Sequence, residues 1–370
     1  MAATSTVLID ENIPLLAESI TPALGKSLKL VHFSGRNLSQ EKLRHCEALF
    51  VRSVTRVDEH LLSETPVVFV GTATSGLEHI DTDYLRRQNI HFADAQGCNA
   101  NSVAEYVLYA LFKWADARQM LLVGKTLGIV GYGNIGKLVA SYASKLGMKV
   151  LVNDPPLKNR RYAFPSYVEY AEFGDLVERS DAITNHVPFK REGQYATVGM
   201  FAEREFARMR DGAMFIHTSR RFVAIEAELL PHLRSGRLYA AVDVWEQEPR
   251  VNKDLAECCL LATPHIAGYS YEGKIKGALM MAQAFGKFFG YKPDMSVFDR
   301  ALARKPDEPL VDVSASFGLY ELLRDSRRLD EDTDMLLETL SAPEFQHPAL
   351  FDRLRKNYPL RREMLLQPEY

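Results

Sequence analysis

No apolar run in this chain approaches the roughly 18 to 20 residues of a membrane span, so a transmembrane helix is not expected. The N-terminus reaches the strand-like Val7-Leu8-Ile9 without the pattern of a secretion signal, which points to a cytoplasmic protein. An excess of either charge is also missing: 45 Lys and Arg face 48 Asp and Glu, a net charge of −3. Such a balance gives no general electrostatic reason to expect nucleic acid or an anionic membrane as partner. An anionic small molecule would have to be held by local cations. Cysteine is scarce, and Cys46, Cys98, Cys258 and Cys259 form no metal-ligand spacing. They read as reduced thiols of a reducing compartment, with no metal site expected. Internal repeats and low-complexity tracts are absent too.

At 370 residues the chain is long enough for two or three domains, each with its own core. Its most informative stretch is Gly124-Lys125-Thr126-Leu127-Gly128-Ile129-Val130-Gly131-Tyr132-Gly133-Asn134-Ile135-Gly136, an apolar run opening into G-x-G-x-x-G. Gly131 allows a tight strand-to-helix turn, Gly133 removes the side chain that would block a pyrophosphate, and Gly136 lets helix and strand approach. The segment from Lys137 to Leu146 has helical spacing, stops at Gly147, and gives way to the strand-like Lys149-Val150-Leu151-Val152-Asn153. Asp154 follows at about the 20-residue distance where a carboxylate binds adenosine ribose hydroxyls and repels a 2′-phosphate. The pattern predicts a βαβ unit that binds NAD rather than NADP.

Before this unit, short β-like runs at Val7 to Ile9, Ala48 to Val51, Val67 to Val70 and around Ile90 to Phe92 alternate with amphipathic segments. That alternation predicts a small α/β domain over the first 100 residues. Ser102 to Met120 reads as a long connecting helix. Further strands are predicted at Ala182 to His186, Ala213 to His217, Leu238 to Val244 and Leu260 to Thr263, followed by a helix over Tyr271 to Phe289. Arg300 to Pro309 reads as a linker, Leu310 to Ala315 as a strand and Leu319 to Leu340 as mostly helical. Phe351 to Tyr358 is charged and reads as a solvated helix face.

Three groups stand just after predicted strands downstream of the glycine turn: Arg220, Glu248 and His265. Hydride transfer at a hydroxy-acid carbon needs such a set: a proton acceptor, a cation for the carboxylate, and a group that tunes the acceptor. Here the chain resembles the D-isomer-specific 2-hydroxyacid dehydrogenases. The resemblance runs nearly end to end, through Asp10-Glu11-Asn12, Val51-Arg52-Ser53-Val54-Thr55, Phe69-Val70-Gly71-Thr72-Ala73-Thr74, Gly97-Cys98-Asn99-Ala100, Asp154-Pro155-Pro156, Asp243-Val244-Trp245-Glu246 and Pro264-His265-Ile266-Ala267-Gly268-Tyr269. Leu354-Arg355-Lys356-Asn357-Tyr358 matches a subgroup that acts on a phosphorylated sugar acid and carries an extra C-terminal dimerisation domain.

The resemblance implies two Rossmann-like, doubly wound parallel-sheet domains plus a small α+β C-terminal domain. Residues 1–100 and 270–292 would form the substrate or lid domain, 101–269 the NAD domain and 293–370 the dimerisation domain of a homodimer. It implies that Arg220 holds the substrate carboxylate, that His265 is the general acid/base, and that Glu248 hydrogen-bonds the imidazole and raises its pKa. NAD would meet Gly131, Gly133, Asn134, Ile135, Gly136, Asp154, Thr218, Asp243 and Gly268, and substrate would meet Ser53, Thr74 and Tyr269. Arg52 is a further candidate for a phosphate group.

Three positions depart from the pattern. Arg221 replaces a glycine, with strain expected if the backbone there needs φ > 0. Ile225 replaces an aspartate, and Val187 stands where the subgroup has a hydroxyl. These changes leave open a dehydrogenase for another D-2-hydroxy acid, or an NAD(H)-binding sensor with weak catalysis.

Overall fold

The computed structural model describes residues 5–23, 28–35, 38–305, 308, 310–314 and 318–368. They divide into two compact units, one within 1–99 and 270–309, the other within 100–269 and 310–370.

The first unit holds five parallel strands: β1 (Ser5–Asp10), β2 (Leu28–Phe33), β3 (Cys46–Val51), β4 (Phe69–Thr72) and β5 (His91–Asp94). Their order is β2-β1-β3-β4-β5, doubly wound, with the direction of winding reversing between β1 and β3. Alternate residues enter opposite cores: Val7, Ile9, Ala48, Phe50 and Phe69 pack with Leu16, Met281 and Phe285, while Leu8, Leu49, Val51 and Val70 pack with Leu62, Tyr84 and Leu85. Burial on both faces is why these strands read as continuous apolar runs. Strand β2 is absent from the sequence prediction because it is an edge, with Lys29 and His32 exposed. The helix Tyr271–Phe289 has the predicted bounds; Ser270 Oγ accepts from Gly273 N–H at 2.9 Å, and Gly290 closes it at φ 71°.

The second unit carries a seven-stranded parallel sheet: β6 (Thr126–Val130), β7 (Lys149–Asn153), β8 (Val168–Tyr170), β9 (Ala182–Asn185), β10 (Met214–His217), β11 (Tyr239–Val242) and β12 (Leu261–Ala262). The order β12-β11-β10-β9-β6-β7-β8 places the topological switch between β6 and β9. Strand β8, short and at the other edge, was not predicted. Helix Ala100–Ala117 is buried without interruption from Ala100 to Leu111, so it lacks an exposed face over three turns.

Of residues 293–370, expected as a small α+β domain, 293–309 group with the first unit and 310–370 with the second. Arg300 to Leu302 belong to the helix Ser296–Leu302 of the first unit rather than to a linker. Residues 310–370 group with the NAD-type sheet, as the helices Leu319–Arg327, Leu329–Ser341 and His347–Lys356. The expected strand is reduced to one bridge, Val311 with Leu365; Ala315 lies outside the described residues. The reason is burial: Val313, Leu319, Leu323, Leu329 and Leu365 share the core of the Ala100–Ala117 helix, and Leu336, Leu340 and Phe351 share that of Leu255 and Ala262. Polar ties match: Glu105 Oε1 accepts from the N–H groups of Met364 and Leu365 at 2.6 and 2.8 Å, and Asn101 Nδ2 donates to Leu365 O at 3.1 Å. All four cysteines are free thiols, and burial pushes that of Cys46 up to about 12.

Burial raises the Glu105 carboxyl from 4.5 to about 7, against the lowering pull of Arg327 and the two N–H donors. The folded chain therefore keeps a proton that the unfolded chain releases, and this group's contribution to stability falls as pH rises from about 4.5 to about 7. Wild type is expected to lose on the order of 3 kcal/mol relative to Glu105→Gln across that window. Denaturant titrations of both at several pH values check it; parallel pH dependences would refute it.

Candidate active site

The glycine turn follows from backbone geometry. Gly131 sits at φ 93°, where a Cβ would come within 3.0 Å of the His186 carbonyl at the end of β9. A Cβ on Gly136 would lie 2.1 Å from Gly131 O, so the third glycine is required by packing alone. Gly133 differs, because a Cβ there meets nothing within 4 Å and sits at φ −81°. Its space opens at the N-terminus of helix Asn134–Lys145, with Asn134 exposed and Ile135 half-buried, where unpaired N–H groups favour an anion. Asp154, at the end of β7, accepts from Tyr132 N–H at 2.8 Å and from Leu157 N–H at 3.0 Å. Its carboxylate is thus fixed by the glycine turn and by the helix Pro155–Asn159 that it caps.

At the ends of β9 and β10, Asn185 Nδ2 lies 3.2 Å from His217 Nδ1 and Ser219 Oγ donates to Asn185 Oδ1. Burial drives His217 down to about 4 and His186 to about 3, so both imidazoles are neutral near pH 7. Next to them Thr218 Oγ1 is buried with no hydrogen-bond partner among the described residues. Sequence reasoning missed Asn185 and His217, whose signal is a polar residue ending an otherwise apolar strand.

His265 and Glu248 are paired: Nδ1 lies 2.8 Å from Glu248 Oε2, and Glu248 Oε1 accepts from Trp245 N–H at 2.9 Å. Burial raises the Glu248 carboxyl, but His265, Trp245 N–H and Arg355 prevail and hold it below its ordinary value. The carboxylate fixes the proton of the neutral ring on Nδ1, leaving Nε2 as acceptor. His265 adopts φ 56°, the left-handed region that a side-chain-bearing residue occupies only when its surroundings impose it. Asp243 imposes it. Its Oδ1 accepts from Thr263 Oγ1 at 2.6 Å and Ile266 N–H at 2.7 Å, and Oδ2 from Ala267 N–H at 3.0 Å. Asp243 is 1% exposed, so its visible work is to hold this loop; Gly268 follows, half-buried in the turn.

Arg220 is half-buried beyond β10, its Nη1 donating to Ser219 O at 2.8 Å. Tyr269 Oη accepts from Arg355 Nη2 at 3.1 Å. Ser53 and Thr74 belong to the first unit, Ser53 exposed in the turn after β3 and Thr74 after β4 with its Oγ1 2.9 Å from Thr72 Oγ1. Arg52 there pairs with Asp10 at 3.1 Å.

The departures have local explanations. Arg221 is exposed and carries no positive φ; the left-handed residue is its neighbour Phe222, at φ 61°. Ile225 is the N-cap of helix Glu226–Arg234 without a side-chain bond, and Glu226 N–H is satisfied by Glu246 Oε1 at 2.9 Å instead. Val187 stands half-buried beside Gly131.

Comparison with known proteins agrees with this geometry. Residues 104–267 match the family model described as D-isomer specific 2-hydroxyacid dehydrogenase, NAD binding domain. The chain is 37% identical over 362 residues to an erythronate-4-phosphate dehydrogenase of Bacteroides fragilis, covering 96% of this chain and 97% of that protein. The chain belongs to the D-isomer-specific 2-hydroxyacid dehydrogenase family. A second relative of the same name, from Salmonella paratyphi A, is 37% identical over 367 residues and covered to 92%, with 96% of this chain matched. Among solved structures, the NAD+-bound 3-phosphoglycerate dehydrogenase of Entamoeba histolytica superimposes with TM-score 0.64 at 23% identity, over 78% of this chain and 96% of that one. The NAD complex of a Staphylococcus aureus formate dehydrogenase gives TM-score 0.63 at 20% identity, over 77% and 95%. Both carry the fold expected of the family, and the cofactor of this dehydrogenase is NAD. The open cradle at Gly133 and the orphaned Thr218 hydroxyl fit that group.

Gly133→Ala and Gly136→Ala should separate binding from folding. The first is expected to keep its melting temperature yet lose NADH affinity about tenfold or more, a single added methyl intruding where the pyrophosphate must approach. The second is expected to lower the melting temperature as well. Thermal melts with NADH fluorescence titrations check both, and unchanged affinity in Gly133→Ala would refute the cradle.

Proposed function

We propose that this dehydrogenase oxidises 4-phospho-D-erythronate at C2 to 2-oxo-3-hydroxy-4-phosphobutanoate, a step toward pyridoxal 5′-phosphate. The observation that carries it is the His265–Glu248 pair, held at 2.8 Å, in a chain 37% identical to relatives of that name. Arg220 binds the substrate carboxylate and orients C2. His265 Nε2 takes the hydroxyl proton as the C–H bond breaks. The ionised Glu248 stabilises the imidazolium so formed, and the same pair returns the proton in the reductive direction. NAD, when bound, accepts the hydride. Gly131, Gly133, Asn134, Ile135 and Gly136 would hold its pyrophosphate, Asp154 its ribose, and Thr218, Asp243 and Gly268 would line the nicotinamide end. Ser53, Thr74 and Tyr269 are assigned to substrate, with Arg52 available to a phosphate.

Residues 293–370 would supply the homodimer contact through their outer surface, where Met335, Phe345, Leu360 and Leu366 are exposed. Among the described residues no helix is long and apolar enough to cross a membrane, and a cytoplasmic enzyme agrees with that. A second reading, another D-2-hydroxy acid as substrate, draws on the exposed Arg221 beside Arg220.

NADH formation followed with 4-phosphoerythronate, glycerate and lactate decides between them. Turnover is expected with the phosphorylated acid, falling about 10²- to 10⁴-fold in His265→Ala. Activity on glycerate or lactate alone would overturn the first reading.

A further inference from the structure

Resting on the reading of His265 as the acid/base group, we infer that Ser102 and Arg327 are positioning residues for it, acting jointly through the carbonyl of Ala267. The clue is where Arg327 stands. It ends the helix Leu319–Arg327, in which Leu319, Leu323 and Arg327 recur at every fourth position and share one buried face. An arginine on that face loses its hydration, and its Nε and Nη1 have no hydrogen-bond partner among the described residues. The nearest carboxyl, on Glu105, is 3.8 Å away and pushed up to about 7 by burial. Near neutral pH much of it is protonated, so an ion pair does not account for the placement.

What Arg327 reaches is the loop of His265. Its Nη2 donates to Ala267 O at 3.2 Å, and Ser102 Oγ, buried on the helix Ala100–Ala117, donates to the same oxygen at 2.7 Å. Ile266 to Tyr269 is a β-turn, closed by Tyr269 N–H on Ile266 O at 2.8 Å. The Ala267–Gly268 peptide is its central one, which points one way in a type I turn and the other way in type II. A glycine at the third position permits both, so sterics do not choose between them. The two donors choose. With both gone, the carbonyl of a residue 1% exposed is left without a partner and the peptide is free to flip. A flip pulls on Ala267, whose N–H is held by Asp243, and His265 keeps its φ of 56° only while that hold lasts. With one donor kept, the carbonyl stays satisfied and the turn stays in place.

The test compares, in the full chain, Ser102→Ala, the pair Glu105→Gln with Arg327→Met, and all three together; Glu105→Gln alone is the control that keeps Arg327. Replacing Glu105 and Arg327 as a pair avoids a lone buried charge. Single-turnover NADH formation from 4-phosphoerythronate is followed for its rate and its amplitude, alongside melting temperatures. Loss of either donor alone is expected to slow the rate less than about threefold. Loss of both is expected to slow it about 10²-fold with the amplitude kept. Ser102→Ala with Arg327→Lys, which retains a donor, should recover part of that loss. A helix that only stabilises the fold changes how much enzyme is competent, not how fast it reacts. A lowered amplitude at unchanged rate, a triple-variant effect equal to the product of the separate ones, or an unchanged rate would each overturn the inference. No NADH from wild type removes the functional reading and this inference with it. Loss of turnover in His265→Ala beside an unchanged triple variant removes the inference alone.

Discussion

The structure turns on one buried carboxylate. Asp243, at the end of β11, accepts from Thr263 Oγ1 and from the N–H groups of Ile266 and Ala267, and thereby fixes both flanks of His265. A catalytic imidazole in the left-handed region is costly, by about 1–3 kcal/mol, and persists only where neighbouring bonds outweigh it. Burial raises the Asp243 carboxyl, opposed by His265 and by the three donors that it accepts from. The loop supplies what the aspartate needs, and the aspartate holds the loop in a shape that it would not choose.

The same loop is gripped from behind. Ser102 Oγ donates to Ala267 O at 2.7 Å from the Ala100–Ala117 helix, and Arg327 Nη2 donates to that carbonyl at 3.2 Å from the C-terminal segment. Arg327 is fully buried, 3.8 Å from Glu105, which in turn accepts from the backbone of Met364 and Leu365. Arg327 is also the cation that opposes the effect of burial on the Glu105 carboxyl, so its removal would leave that carboxyl harder still to ionise. The C-terminal segment is thereby part of the scaffold behind the acid/base histidine.

Local chemistry was legible in the sequence. Gly136 and Asp154 are set by contacts within about 25 residues, and the glycine turn by steric reasons visible in the residue types, although Gly131 also faces the distant His186 carbonyl. Strand positions followed from apolar runs wherever both faces are buried. Two of the four sheet edges escaped, since β2 carries Lys29 and His32 and β8 is three residues long, while the edges β5 and β12 were marked by their apolar residues. The packing partners of the C-terminal segment were not legible because its helices are amphipathic, and amphipathicity does not say against what a face packs. Asp243 was read by resemblance as a cofactor contact, whereas its bonds to residues 20 and more positions away are invisible to any window.

The altered loop after Arg220 can now be placed by its mechanics. Exchange of a glycine for Arg221 carries no strain because the left-handed φ falls on Phe222, whose ring is 40% exposed. Ile225 gives the helix Glu226–Arg234 no side-chain cap, yet Glu246 reaches across to the first N–H while Glu226 Oε1 accepts from Glu246 N–H at 2.6 Å. That reciprocal pair does the work a capping aspartate would do. It also crowds carboxylates: burial first, then Glu246 and Glu248, leave Glu226 at about 7 against the pull of the Glu246 N–H. An aspartate at position 225 would add a further negative charge to this cluster. Ile225 adds no charge to it, and Glu226 is left with the Glu246 N–H as the one lowering influence on its carboxyl.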